Sequence, residues 1–197
     1  IFENKSHFMS VGILIKTMAG LARSRGFFTE ELNMGGGFGV EFDPEKSGPS
    51  LVSFTDPMMD ALASGCREEG IPVPRAFIEP GRWIVSEAGI TLYTVQEVKK
   101  TGGIADAAVD GGMTDNPRPA LYGAKYHAVA PGKMDMALTE TVTVAGKCCE
   151  SGDIIIEGLK TPPLERGDLL AVLNTGAYTF SMASNYNRLP RPAAVLV

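Results

Sequence analysis

Apolar side chains at Val11, Leu14, Ile15, Met18, Leu21 and Ala22 recur at spacings of three and four, which predicts an amphipathic helix from about Phe8 to Arg25. Gly26 is its expected C-cap. The run Glu31-Leu32-Asn33-Met34 then enters the glycine cluster Gly35-Gly36-Gly37-Phe38-Gly39, a short strand ending in a flexible loop, and a polar loop with Pro44, Gly48 and Pro49 follows. A second helical period, Met58, Met59, Leu62 and Ala63, marks a helix over about 54–69, for which Asp56 and Pro57 supply an N-cap and a first-turn proline. Arg75-Ala76-Phe77-Ile78-Glu79 reads as a buried strand stopped by a turn at Pro80-Gly81.

Beyond Ile84 the period changes. Short β-rich runs at Ile90–Val95, 107–109, Thr141–Val144, 154–156 and 169–172 are separated by Gly, Pro and Asp turns and predict an all-β module. The first part, with helix and strand in alternation, predicts parallel β/α units, whose ligands gather at the carboxyl ends of the strands. The fold class is therefore α/β followed by all-β. The chain opens on a helix and stops in the apolar run Ala193–Val197, so both ends read as cut.

Composition narrows the ligand. The 197 residues are 44% hydrophobic, enough for a buried core. A net charge of −5 and a pI near 5.1 give no basic field for nucleic acid or anionic lipid, so a small molecule is the expected ligand. No apolar run approaches the roughly 20 residues that span a bilayer, which favours a cytoplasmic protein. Cys66, Cys148 and Cys149 show no metal-ligand spacing and read as reduced thiols, so no metal is expected.

Several positions carry candidate chemistry. Gly35, Gly36 and Gly37 can turn backbone N–H groups toward an anion, although a glycine triplet is equally compatible with a tight turn. Glu79-Pro80-Gly81-Arg82 places a carboxylate and a guanidinium at the next strand end, suited to a ring nitrogen and to a phosphate or carboxylate, or else to a plain ion pair. Asp115–Gly123 is read as a proline-braced loop presenting Arg118 and Tyr122, a carboxylate-binding pair or an ordinary surface turn. Cys149-Glu150-Ser151-Gly152-Asp153 joins a thiol to two acids, and Gly176-Ala177-Tyr178 precedes the polar stretch Ser184-Asn185-Tyr186-Asn187. Composition does not rank these sites.

Taken in order, the glycine cluster, Glu79–Arg82, Arg118–Gly123, Cys149–Asp153 and Gly176–Tyr178 with Ser181–Asn187 resemble the diaminopimelate decarboxylase family. These are pyridoxal 5'-phosphate-dependent enzymes of the alanine-racemase-like fold. The resemblance implies that residues 1–84 are the last β/α units of a cofactor-binding (β/α)8 barrel and that 85–197 are most of a C-terminal β-domain of Greek-key or barrel-like form, truncated at its C-terminus. Gly35, Gly36, Gly37, Gly81 and Arg82 would surround the cofactor phosphate, and Glu79 would pair with its ring nitrogen. Arg82, Arg118 and Tyr122 would bind a substrate carboxylate, Glu150 the distal amino group, and Tyr178 both cofactor and substrate. Cys149 would donate a proton.

The resemblance further implies a homodimer in which Cys149 and Glu150 reach the partner's active site. The Schiff-base lysine would lie in the N-terminal half of the same enzyme, before Ile1-Phe2-Glu3-Asn4, so these residues alone are expected to be inactive. Two other readings stay open. One is a decarboxylase of ornithine, arginine or a D-amino acid in the same family; the other is a non-catalytic truncated paralogue that dimerises or regulates.

Overall fold

The structure, a computed structural model, describes residues 5–42, 48–102 and 104–197. The expected loop at Pro44 and the segment Ile1–Asn4 lie outside them. The chain divides into two compact units, Ile1–Glu41 with Ser47–Ile84, and Phe42–Lys46 with Val85–Val197.

The first unit is α/β. Helix α1 (Lys5–Arg25) ends where the Gly26 N–H donates to the Ala22 carbonyl at 3.0 Å with Gly26 at φ 63°, the predicted C-cap. Strand β1 (Glu31–Gly36) pairs in parallel with β2 (Arg75–Glu79), with Gly36 opposite Glu79. Helix α2 (Leu51–Glu68) connects them, and a short helix α3 (Gly81–Val85) follows β2 where only a turn was expected.

The core of this unit joins Val11, Ile15 and Met18 of α1, Leu32, Phe38, and Phe54, Met58, Leu62 and Cys66 of α2. Leu21 is exposed and Ala22 half-buried; the inward position is Ala19 instead. The helix period places Met59 on the outer side of α2, where it is exposed.

The cap of α2 is also corrected. Ser50, not Asp56, is the N-cap: its Oγ accepts from the Ser53 N–H at 3.2 Å, and Pro57 lies inside the helix. The buried stripe Phe54, Met58, Leu62 and Cys66 needs the turn that precedes Pro57, and burying Phe54 outweighs the local cost of an interior proline. Strand β2 is not buried as expected. Its residues alternate between exposed and half-buried, because Ala76 and Ile78 pack against the core while Arg75, Phe77 and Glu79 point to the opposite, exposed face.

The second unit is a six-stranded sheet of order β5-β8-β3-β4-β6-β7, built from β3 (Thr91–Thr101), β4 (Ile104–Val109), β5 (Ala128–Val129), β6 (Glu140–Ala145), β7 (Ile154–Thr161) and β8 (Leu169–Val172). All pairs are antiparallel except β4 with β6. The long β3 serves two neighbours. Thr91–Thr94 pair with β8, and Val95 and then Glu97–Thr101 pair with β4 across an irregularity between Val95 and Glu97.

Tyr93, Val95, Ala107, Val109, Val142, Val144, Ile155, Leu170 and Val172 fill the interior. Their alternation along each strand is the period-two pattern of a one-sided sheet. Strand β5 was not anticipated; two residues are too few to carry a period. The α/β-then-all-β class holds. No described helix is long and apolar enough to cross a membrane.

Candidate active site

In the first unit the predicted site residues meet at the carboxyl ends of β1 and β2. Gly35 and Gly37 adopt φ 79° and 84°, a left-handed backbone that side chains resist. A Cβ on Gly36 would overlap the Glu79 carbonyl oxygen on the neighbouring strand, so only glycine permits this register. The Gly35 N–H is already bonded to Asn33 Oδ1 at 2.8 Å, so Gly35 contributes shape to the loop. The Asn33 Nδ2 also donates to Glu79 Oε1 at 2.6 Å and holds that carboxylate at its strand end, where it is exposed and not buried. Gly81 and half-buried Arg82 open α3 directly behind it.

Sequence reasoning missed two residues here. Asn33 ties the loop to Glu79, and its signal was a polar side chain in a short strand otherwise carrying Leu32 and Met34. His7, 6% exposed, bonds through Nε2 to the Gly36 carbonyl at 2.9 Å. Its ring stacks on Phe38 with centroids 4.8 Å apart and meets Phe54 edge-on, so the glycine loop is fastened to the helix core. A lone histidine near the start of an amphipathic pattern gives no such signal.

In the second unit Asp115–Gly123 is not a plain loop. Arg118–Tyr122 form a short helix, α4, with Pro119 in its first turn and Gly123 at φ 60° as its C-cap. The proline pair that suggested a loop is what starts the helix, since Pro is tolerated where no N–H partner is needed. The Arg118 guanidinium carbon lies 5.3 Å from the Tyr122 ring centroid and 5.8 Å from that of Tyr178. Three predicted substrate-binding residues therefore form one cluster, a cation held by two aromatic faces. Tyr178 sits at φ 61°, an unusual backbone for an aromatic residue and a cost accepted to place its ring.

The predicted Cys149–Asp153 segment is the connection from β6 to β7. Cys149 and Glu150 are exposed, Cys148 is half-buried, and Asp153 is buried. The Tyr186 hydroxyl donates to Glu150 Oε2 at 3.3 Å, and the Glu150 charge pushes the Tyr186 phenol above its ordinary pKa. The Ser184 N–H donates to the Thr114 carbonyl at 2.9 Å. The connections around 112–118, 148–153 and 184–187 are thus laced into one surface of the β-domain. In the sequence Tyr186 is one residue of a polar stretch; its partner shows once the fold brings it to Glu150.

Two family descriptions match the chain and overlap over residues 52–86. Residues 3–86 match the pyridoxal-dependent decarboxylase, pyridoxal binding domain, and 52–176 match the pyridoxal-dependent decarboxylase, C-terminal sheet domain. The chain is 43% identical over 198 residues to a diaminopimelate decarboxylase of Bacillus subtilis, covering all of this chain and 45% of that protein. It is 47% identical over 174 residues to one of Staphylococcus aureus, covering 87% and 41%. A crystal structure of diaminopimelate decarboxylase from M. jannaschii in complex with L-lysine superposes with a TM-score of 0.86 at 29% identity, over 98% of this chain and 43% of that one. The chain thus spans less than half the length of these relatives.

The first unit's residues fit pyridoxal 5'-phosphate. Gly35, at φ 79° with nothing within 4 Å of a would-be Cβ, leaves the strand end open to the approach of a phosphate, and an exposed carboxylate fixed by Asn33 suits a protonated ring nitrogen. From its glycine loop to the strands of its sheet domain, the chain belongs to the pyridoxal-dependent decarboxylase family.

Proposed function

We propose that this protein removes carbon dioxide from meso-2,6-diaminopimelate to give L-lysine, as a cytoplasmic homodimer whose full polypeptide is longer than these 197 residues. The observation that carries the reading is the presence in the sheet domain of two opposite recognition elements, which the dimer combines at one site by drawing each from a different subunit. Arg118, gripped by Tyr122 and Tyr178, suits a carboxylate; Glu150, on an exposed loop beside a thiol, suits an ammonium group. A substrate carrying a second amino-acid head group uses both. The relatives' names support the same substrate.

Pyridoxal 5'-phosphate, when bound, supplies the sink for the electron pair released as carbon dioxide leaves. Gly35, Gly36, Gly37 and Gly81, with Arg82, hold its phosphate. Glu79 keeps the ring nitrogen protonated, and Asn33 keeps Glu79 in place. Tyr178 contacts cofactor and substrate. Arg82, Arg118 and Tyr122 orient the substrate through a carboxylate, and Glu150 binds the distal ammonium. The Cys149 thiol donates its proton to the carbon that has lost carbon dioxide.

In the dimer, Cys149 and Glu150 serve the partner's site, which suits residues exposed on their own domain. The lysine that the family uses to hold the cofactor lies in the N-terminal half, so these residues alone are inactive. The test is the full-length protein incubated with meso-2,6-diaminopimelate. Release of carbon dioxide and lysine, slowed by Cys149→Ala while cofactor absorbance persists, supports the assignment; a Cys149→Ala variant with undiminished turnover refutes the role of Cys149.

A further inference from the structure

Two thiols stand side by side at Cys148 and Cys149, and the fold treats them differently. Asp153, 2% exposed, lies under them with its carboxylate divided between two backbone donors. Oδ1 accepts from the Met113 N–H at 2.6 Å, and Oδ2 accepts from the Cys148 N–H at 2.8 Å. Burial, followed by the Asp153 charge, pushes the Cys148 thiol above its ordinary pKa, so it stays protonated. Cys149 is turned to the exterior.

The backbone around this carboxylate leaves nothing to spare. The Asp153 carbonyl accepts from the Gly146 N–H at 2.8 Å, and the Asp153 N–H donates to the Glu150 carbonyl at 3.0 Å, closing the connection on itself. A Cβ on Gly146 would overlap the carboxylate, and one on Gly112 would come within 2.6 Å of either oxygen. Through Met113 the same carboxylate fixes the segment that leads into Arg118.

We propose that Asp153 is the positioning residue that selects between the adjacent thiols: by binding the Cys148 N–H, it holds half-buried Cys148 back and presents exposed Cys149, with Glu150, as the reacting pair. The consequence for turnover rests on the proton-donor role given to Cys149 above; the selection itself does not.

The experiment uses the full-length protein and iodoacetamide, with labelling at each cysteine followed by peptide mass spectrometry. Cys149 should be alkylated at least ~10-fold faster than Cys148, the discrimination expected from one hydrogen bond to a charged group. Asp153→Asn accepts one N–H and sets an amide donor against the other. It should bring the two rates together and lower kcat by roughly 10-fold or more with cofactor absorbance retained.

Equal labelling of both thiols in the unaltered protein overturns the proposal and needs no variant that folds. A folded Asp153→Asn protein that keeps the native labelling ratio overturns it as well. If the unaltered protein shows no decarboxylation but labels selectively, the functional reading fails and the selection by Asp153 stands.

Discussion

Gly36→Ala tests whether the sheet register and the cofactor loop are one structure. The added Cβ would overlap the Glu79 carbonyl oxygen and lie 3.0 Å from its carbonyl carbon and 3.4 Å from its Cβ. The two nearest are backbone atoms of the paired strand, opposite Gly36 in register, and no side-chain rotation relieves the overlap. β1 and β2 must part there. Overpacking against an unyielding neighbour costs about 1–3 kcal/mol, and each ladder hydrogen bond lost adds about 1 kcal/mol.

Moving Glu79 also breaks its bond with Asn33, so cofactor affinity should fall by about tenfold, or ~1.4 kcal/mol. Gly12→Ala is the control: it sits in α1 with nothing within 4 Å of its would-be Cβ and should stabilise by ~1 kcal/mol through helix propensity. Urea unfolding and a pyridoxal-phosphate absorbance titration on the full-length protein read both effects. A Gly36→Ala protein with unchanged stability and affinity would refute the close approach and the loop's role together.

Three further outcomes follow from single contacts. Ser50→Ala should destabilise by about 1 kcal/mol in urea unfolding while Asp56→Ala changes little, because the cap of α2 is Ser50. Arg118→Lys should raise KM for the dicarboxylate substrate by about tenfold or more, since an ammonium cannot lie between two rings and offer a bidentate edge as guanidinium does. Burial raises the Asp168 carboxyl more than any other single influence lowers it, but the Lys133 ammonium, 2.7 Å away, and the Glu165 N–H together outweigh burial, so its folded pKa lies below the ordinary 3.8. The unfolded state then binds a proton first. This stabilisation is present above pH 3.8 and is lost as pH falls through the lower folded pKa, and Lys133→Met should weaken that acid dependence in unfolding measured between pH 5 and 2.

The larger divisions of the chain were legible because they rest on periodicity. The three-and-four spacing of α1 and the β-rich runs after Ile84 survive folding, since each reports one buried face. Local chemistry misled where two signals competed. Asp56-Pro57 has the form of a helix start, yet the burial of Phe54 carries α2 back to Ser50. Arg118-Pro119 has the form of a loop, yet proline in a first turn is compatible with helix.

At the candidate site the charged and thiol residues announced themselves by type, whereas their holders did not. Asn33, His7, Tyr186 and Asp153 act through partners 29 to 46 residues away in the chain, and no local pattern encodes such a meeting.

The central claim is that the Arg118 cluster and the Cys149–Glu150 loop serve a substrate with two amino-acid head groups. It is tested most directly by kcat/KM of the full-length protein for meso-2,6-diaminopimelate against ornithine. A site built to hold a second polar head group should favour diaminopimelate by about 10⁴-fold, with lysine as product. Equal efficiency on the two, or turnover of ornithine alone, would contradict the account.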